Sequence, residues 1–467
     1  MNYVVHYSAE LTVWDLVLAP IYLYILVFIA KRYRDKHYKV GDPLRRLYLQ
    51  GLYVKIFGAI FIGLIYSFYY HEGDTFNYFG HAKIINSADS ISTWFKLMTG
   101  STADSDPKLY TYIQGMEFYN SLSAMTVCRI TAILGLINGT TYMPIALLFA
   151  YISYTGIWAM YTTFVKLYPQ LTKQLAWAFL FVPSTFVWGS SIFKDTVCMF
   201  GLGWLTYCVF RIFVNGDLSW KNLIYTALSL ILVSLIKVYI LLAFLPALTF
   251  WLLMTYVTRI KSTMTRWLVS VLAISTLVGG IFLGLQLFSS KLDEYSLDNL
   301  VEKSSTTREW ILYQSERMDG AAYDLGTFEP TVLGLMGMFP AAVNVTLYRP
   351  YIWETKKPIQ LLSALEGLTF MIATIMLLYR RGLKGFTKPI GKDPNLMFFL
   401  VFVLVFAFSV GISTGNFGTL SRYKIPCMPF FAALLVIIFY GYKKGKFIGP
   451  TTLPLEEHTE TTVPQLV

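Results

Sequence analysis

Charge is what this chain has least of. Only 14% of its 467 residues are Asp, Glu, Lys or Arg, against about 25% in soluble domains, so an ordinary water-facing surface is excluded. Cysteine is scarce too. Cys128, Cys198, Cys208 and Cys427 lie in or beside apolar runs, and their spacing fits neither a zinc site nor a disulfide framework. Walker loop, HExxH helix and GxSxG elbow are all missing, which argues against nucleotide chemistry in the cytoplasm and against two common hydrolytic designs. Met1 to Trp14 has no basic region ahead of its apolar run, so no cleaved signal peptide is expected.

What is present is apolar. Hydrophobic residues make up 55% of the chain, and its mean hydropathy is +0.54. Apolar runs fall at 11–30, 52–70, 122–137, 142–165, 175–190, 194–213, 222–236, 238–257, 267–288, 358–379, 396–413 and 424–441. Many reach the roughly 18 residues that a membrane helix needs. The expected fold is all-α, a polytopic membrane helical bundle. The net charge of +11 then reflects Lys and Arg gathered in cytoplasmic loops, and no nucleic-acid partner is expected.

Those basic clusters orient the chain. Lys31, Arg32, Arg34, Lys36, Lys39, Arg45 and Arg46 follow the first run. Further clusters are Arg259/Lys261/Arg266, Arg380/Arg381/Lys384/Lys388/Lys392 and Lys443/Lys444/Lys446. Placing all four inside requires an even number of crossings between the first and second, where seven runs are found. The run 122–137 is short and holds Arg129, so it is read as an interfacial or re-entrant helix. That leaves about 11 crossings, with the N-terminus outside and the C-terminus inside. The expected organisation is one bundle over 1–445, with external loops at 71–120 and 289–356 carrying short helices. Ser90–Met98 should be amphipathic and Ser304–Arg317 a soluble helix. A disordered cytoplasmic tail is expected at 446–467. The two runs on either side of Lys237 would make a helix of about 54 Å, too long for a bilayer core of about 30 Å, so a turn is expected there.

With that topology, ionisable residues collect at the outer face. His71-Glu72-Gly73-Asp74-Thr75-Phe76-Asn77-Tyr78 leaves the second span, and Lys194-Asp195 opens a later one. Lys237 and Tyr239 mark the expected turn, Arg349 lies among aromatics, and Arg422-Tyr423 with Lys424 precedes the last span. Ser190 or Ser191 is placed to cap the helix that begins at Lys194. Carboxylates beside cations suit a transfer in which Asp74 deprotonates an acceptor hydroxyl. That hydroxyl attacks a sugar on a lipid phosphate held by Lys237, Arg349 and Arg422. Asp195 is the second acid. Glu72, Tyr78, Lys194, Tyr239 and Tyr423 are candidate substrate contacts. A divalent cation, Mg2+ or Mn2+, bridging Asp74 and Asp195 to the phosphate would assist.

Gly73-Asp74-Thr75-Phe76-Asn77-Tyr78, Lys194-Asp195 and Arg422-Tyr423 with Pro426 and Pro429 together resemble the GT-C superfamily of integral membrane glycosyltransferases. That superfamily includes protein mannosyltransferases and aminoarabinose transferases. The likeness is a spaced pattern over roughly residues 50–440. It implies a polyprenyl-phosphate-linked sugar as donor and a glycan, lipid or protein acceptor. It also implies a plasma membrane location (the bacterial inner membrane) and a role in cell-surface polysaccharide biosynthesis. The span at 11–30 has no counterpart in the basic GT-C plan, and the acidic motif is Glu-Gly-Asp rather than two adjacent acids. An O-antigen-type polymerase or ligase, a lipid-linked glycan transporter or flippase, and an assembly subunit without a site are the alternatives.

Overall fold

Long apolar sequences satisfy their backbone groups internally as helices, and the described apolar runs of this chain do so. The computed structural model describes residues 10–102, 106–257, 262, 264, 265, 268, 322–326, 332–443 and 446–450. Nearly all of the run 267–288, the helix expected at Ser304–Arg317, most of the 289–356 loop and the tail beyond Pro450 lie outside these residues.

The helices, in chain order, are α1 (Val13–His37), α2 (Pro43–Ile65), α3 (Asp74–Asn86), α4 (Ile91–Thr99), α5 (Tyr110–Ile113), α6 (Leu122–Gly135) and α7 (Tyr142–Leu167). Then come α8 (Thr172–Phe179), α9 (Pro183–Val187), α10 (Lys194–Phe213) and α11 (Trp220–Val257). The last are α12 (Val332–Gly337), α13 (Phe339–Tyr348), α14 (Pro358–Ile390), α15 (Pro394–Ser413), α16 (Phe417–Tyr423) and α17 (Met428–Tyr440). A two-residue ladder pairs Tyr442–Lys443 with Lys446–Phe447. Seven helices among the described residues are long and apolar enough to cross a bilayer: α1, α2 with its extension to Tyr70, α7, α10, α11, α14 and α15. The pair α16 and α17, bent by 67°, makes eight if it is one crossing. This is a multi-pass helical membrane protein.

Local chemistry sets many of the helix ends. Asp42 accepts from Leu44 N at the start of α2, with Pro43 in the first turn. Ser90 caps α4 through Thr93 N, and Gly100 closes it at φ +88°. The run 122–137 forms only the short α6. The run 175–190 departs from the expected single helix and folds as α8, a break and α9. Pro183 has no N–H to give and disfavours helix at Val182 before it, which separates the two. At Lys237 the backbone leaves helical geometry (φ −147°, ψ 76°), so α11 is two helices joined at the residue where the length argument required a turn.

The chain forms two compact units. The first draws on Met1–Lys166 and Thr185–Val238, the second on Leu167–Ser184 and Tyr239–Thr451. In the first, α3 lies along α6 and α1 along α2. Gly58 of α2 allows α9 an unusually close approach: a Cβ there would sit 1.7 Å from the Phe186 carbonyl oxygen. The second unit centres on an aromatic cluster, with Phe244, Phe398, Phe402 and Phe430 in mutual, mostly edge-to-face contact. α13 packs on α15, and α17 packs on α8 and α15.

Candidate functional site

The acidic motif is built on an irregular turn. After α2 the chain makes one π-helical turn, Tyr66–Tyr70, and then His71 adopts a left-handed conformation at φ 58°. Gly73 follows at φ +144°, where a Cβ would lie 2.3 Å from the Tyr66 ring. Only glycine fits this position. π turns and non-glycine residues at positive φ concentrate at functional sites. The turn delivers Asp74 as the first residue of α3, half-exposed, with Glu72 exposed beside it. At a helix start the unpaired N–H groups favour a carboxylate.

Three helix starts meet here. Thr75 Oγ1 and the Tyr142 hydroxyl are 2.8 Å apart, Tyr142 and Ser191 Oγ are 3.0 Å apart, and Thr75 and Ser191 are 3.4 Å apart. Thr75 belongs to the first turn of α3, Tyr142 opens α7, and Ser191 lies just before α10. Thr196 Oγ1 donates to the Ser191 carbonyl at 2.6 Å. Asp74 and Asp195 are therefore the chain neighbours of Thr75 and Thr196, which both bond to this hydroxyl cluster or its backbone. Asp15 of α1, buried, accepts from Met143 N at 2.7 Å and so caps α7. Each of the three helix starts thus carries an aspartate.

Asp195 and Lys237 are joined directly. Lys237 Nζ donates to Asp195 Oδ1 at 2.5 Å, and both side chains are buried. The residue expected to hold a phosphate instead meets the expected second acid. Neither Ser190 nor Ser191 caps α10, whose N-cap is Phe193. Ser190 Oγ donates to the Phe186 carbonyl, and Ser191 is occupied by the hydroxyl cluster. Lys194, half-buried, donates to Ser123 Oγ of α6 at 2.8 Å. Tyr78 is buried with its ring against Phe118. His81, further along α3, is enclosed between Cys128 and Phe118, and burial pushes its imidazole down to about 4.

The remaining candidates belong to the second unit. Arg349 Nε donates to both oxygens of Glu354, at 3.1 and 3.0 Å, and Nη2 adds a further bond to the same carboxylate. Its guanidinium lies over the rings of Tyr323, Tyr351 and Phe417. Arg422 and Tyr423 close α16, both half-buried. Tyr423 lies 6.1 Å from the ring of Tyr239, and Tyr239 6.0 Å from that of Phe406. Lys424 is fully buried, 3.6 Å from Glu366 Oε1, and the other Glu366 oxygen accepts from Ser184 N at 2.6 Å.

Sequence reasoning passed over Lys55. It lies inside α2, buried, and donates to Ser153 Oγ and the Thr185 carbonyl, each at 3.1 Å, and to the Gly189 carbonyl. Asp15, Tyr142 and Glu366 were passed over as well. A lone ionisable residue within an apolar run was the signal that marked Lys55, Asp15 and Glu366. Tyr142 carried none.

Among the described residues no group of three or more His, Cys, Asp or Glu side chains is arranged to hold a metal ion. With Asp195 Oδ1 turned to an ammonium group, the two aspartates do not form a dedicated cation cage. Fold and site together define a class: a polytopic α-helical membrane protein with ionisable side chains buried at breaks in its helices. No protein-family model, curated protein or solved structure matches the chain.

Proposed function

We propose that this protein is a membrane glycosyltransferase acting on a polyprenyl-phosphate-linked sugar at the outer face of the plasma membrane, in cell-surface glycan synthesis. The observation that carries the reading is the meeting of the Asp74 and Asp195 helix starts around the Thr75–Tyr142–Ser191 hydroxyls. Asp74, half-exposed at the rim, removes the proton of an acceptor hydroxyl on a glycan, lipid or protein. The freed oxygen attacks the anomeric carbon, the bond from that carbon to the phosphate oxygen breaks, and the polyprenyl phosphate leaves with its electron pair. Lys194 and the N–H groups at the starts of α3 and α10 supply positive potential for that leaving phosphate. Asp195 and Lys237, paired behind the rim, position the start of α10. Mg2+ or Mn2+ is not assigned a step, because among the described residues no group of three or more His, Cys, Asp or Glu side chains is arranged to hold it. The topology that goes with this reading has eleven crossings, the N-terminus outside, the C-terminus inside and α3–α6 on the outer side.

The test is transfer from a polyprenyl-phosphate sugar by the full chain in proteoliposomes. Asp74→Asn should lower turnover at least about a hundredfold while donor binding persists. Activity retained in Asp74→Asn but lost in Arg349→Ala or Arg422→Ala would move the assignment to a polymerase or ligase.

One observation favours a second reading, a lipid-linked glycan transporter or flippase. Lys237 is a buried charge at a break in the middle of a long apolar helix, an arrangement that transporters use at their binding sites. Movement of a labelled lipid-linked glycan across proteoliposomes, abolished by Lys237→Met and unaffected by Asp74→Asn, would establish it.

A further inference from the structure

Arg129 has no role in the reaction above. It sits on α6 at the centre of that helix's outward stripe, with Leu122, Thr126, Ile130 and Ile133 around it, while Met125, Cys128 and Ala132 face inward and are buried. Leu122 and Ile133 are at least half-exposed, as are Leu136 and Ile137 just beyond the helix. In a chain that spans a bilayer such a stripe faces lipid, and an arginine there needs an anion or a route to the headgroups. Arg129 has only partial access to the surroundings. Its guanidinium lies beneath Gly100, where a Cβ would come within 2.8 Å of Nη2. Its Nε is shielded and meets no acceptor among the described residues, and no described carboxylate pairs with it. The neighbouring α4 adds Ile91 and Phe95, both well exposed, to the same apolar shelf.

The geometry points to Arg129 as the anchor of a binding site for a lipid-borne phosphate on the shelf formed by α4 and α6. A fixed guanidinium fork matches phosphate oxygens. The apolar stripe on both sides of it takes the attached hydrocarbon, which a free phosphate would leave uncovered. The site does not depend on the transfer reaction, because a transferase and a transporter would both gain from holding a lipid phosphate beside α3.

The experiment uses the full chain in detergent micelles, with native mass spectrometry counting bound lipid. The probes are a long-chain polyprenyl phosphate and, separately, phosphatidylglycerol, each with and without inorganic phosphate as competitor. The wild-type protein should retain at least one of the two lipids against millimolar inorganic phosphate. Arg129→Gln should weaken retention about tenfold or more, and Arg129→Lys by less, as expected for loss of a charge-assisted fork. Should Arg129→Gln fail to fold, the gap between wild type and Arg129→Lys carries the test. Equal retention in wild type and variants would overturn the site, as would full displacement by inorganic phosphate.

Discussion

Lys55 in the first unit and Lys424 in the second are both fully enclosed lysines, and their charges are answered in opposite ways. Lys55 meets a hydroxyl and two backbone carbonyls. Lys424 Nζ makes no hydrogen bond among the described residues and instead lies 3.6 Å from Glu366 Oε1, while the other oxygen of that carboxylate takes the amide of Ser184. The difference follows the polarity of broken helices. Thr185 is the middle residue of the five-residue α9 and Gly189 lies just beyond it, so both carbonyls fall where a short helix runs out of amide partners, and a cation answers them. Ser184 lies at the start of α9 and Met143 at the start of α7, where amides are left over, and there Glu366 and Asp15 answer. Ionic groups inside these apolar spans thus trace where helices begin and end, which makes a buried charge weak proof of catalysis by itself. Asp195 combines the two cases, since it stands in the first turn of α10 and also neutralises Lys237.

Substitutions can break this comparison, and the largest effect should come from Asp195. Asp195→Ala leaves an ammonium enclosed without its carboxylate and should destabilise the first unit by about 3–5 kcal/mol, read as a drop in thermal unfolding temperature in detergent. The double variant Asp195→Leu with Lys237→Met should recover most of that loss. Failure to recover would mean that the pair does more than neutralise itself. Lys55→Met removes a cation whose partners are all neutral, so a smaller cost of about 1–3 kcal/mol for unsatisfied carbonyls is expected. A cost equal to that of Asp195→Ala would erase the distinction between the two kinds of site.

The smallest effect is one of pH. His81 has its proton affinity lowered from an ordinary value of 6.5 to about 4 by burial, so between those values the unfolded chain binds the proton that the folded chain refuses. Stability is full above about pH 6.5 and falls as the pH drops toward 4, by about 1.4 kcal/mol at pH 5.5. His81→Gln should flatten the unfolding profile across that window.

Much of this fold is legible in the sequence because apolar length is a coarse and robust signal. α7, α10 and α15 fall almost where the runs 142–165, 194–213 and 396–413 place them. The break at Lys237 follows from length alone, and the shortness of α6 from Arg129 and the polar residues after Ile137. The amphipathic α4 appears where Ser90–Met98 was expected, with Lys96 donating to Asp106 and holding that carboxyl below its usual range. The candidate site was legible only as a set of positions. Asp74 and Asp195 could be picked out as acids at helix starts, but which cation each acid meets depends on packing between distant segments. Lys237 is therefore found on Asp195, and Arg349 on Glu354. The hydroxyls of Thr75, Tyr142 and Ser191 are ordinary in sequence and acquire their meaning only when three helices converge.

The π turn at Tyr66–Tyr70 has a consequence for how Asp74 is aimed. One residue of helix corresponds to about 100° of rotation, and a π turn holds roughly one residue more than a regular one. Removing a single residue from this turn would restore an ordinary helix and swing His71 to Asp74 by about that angle around the axis of α2. The protein could keep every side chain of the acidic motif and still lose its address. Position along the chain and direction in space are set separately here, and the direction is held by one surplus residue in a largely aromatic turn.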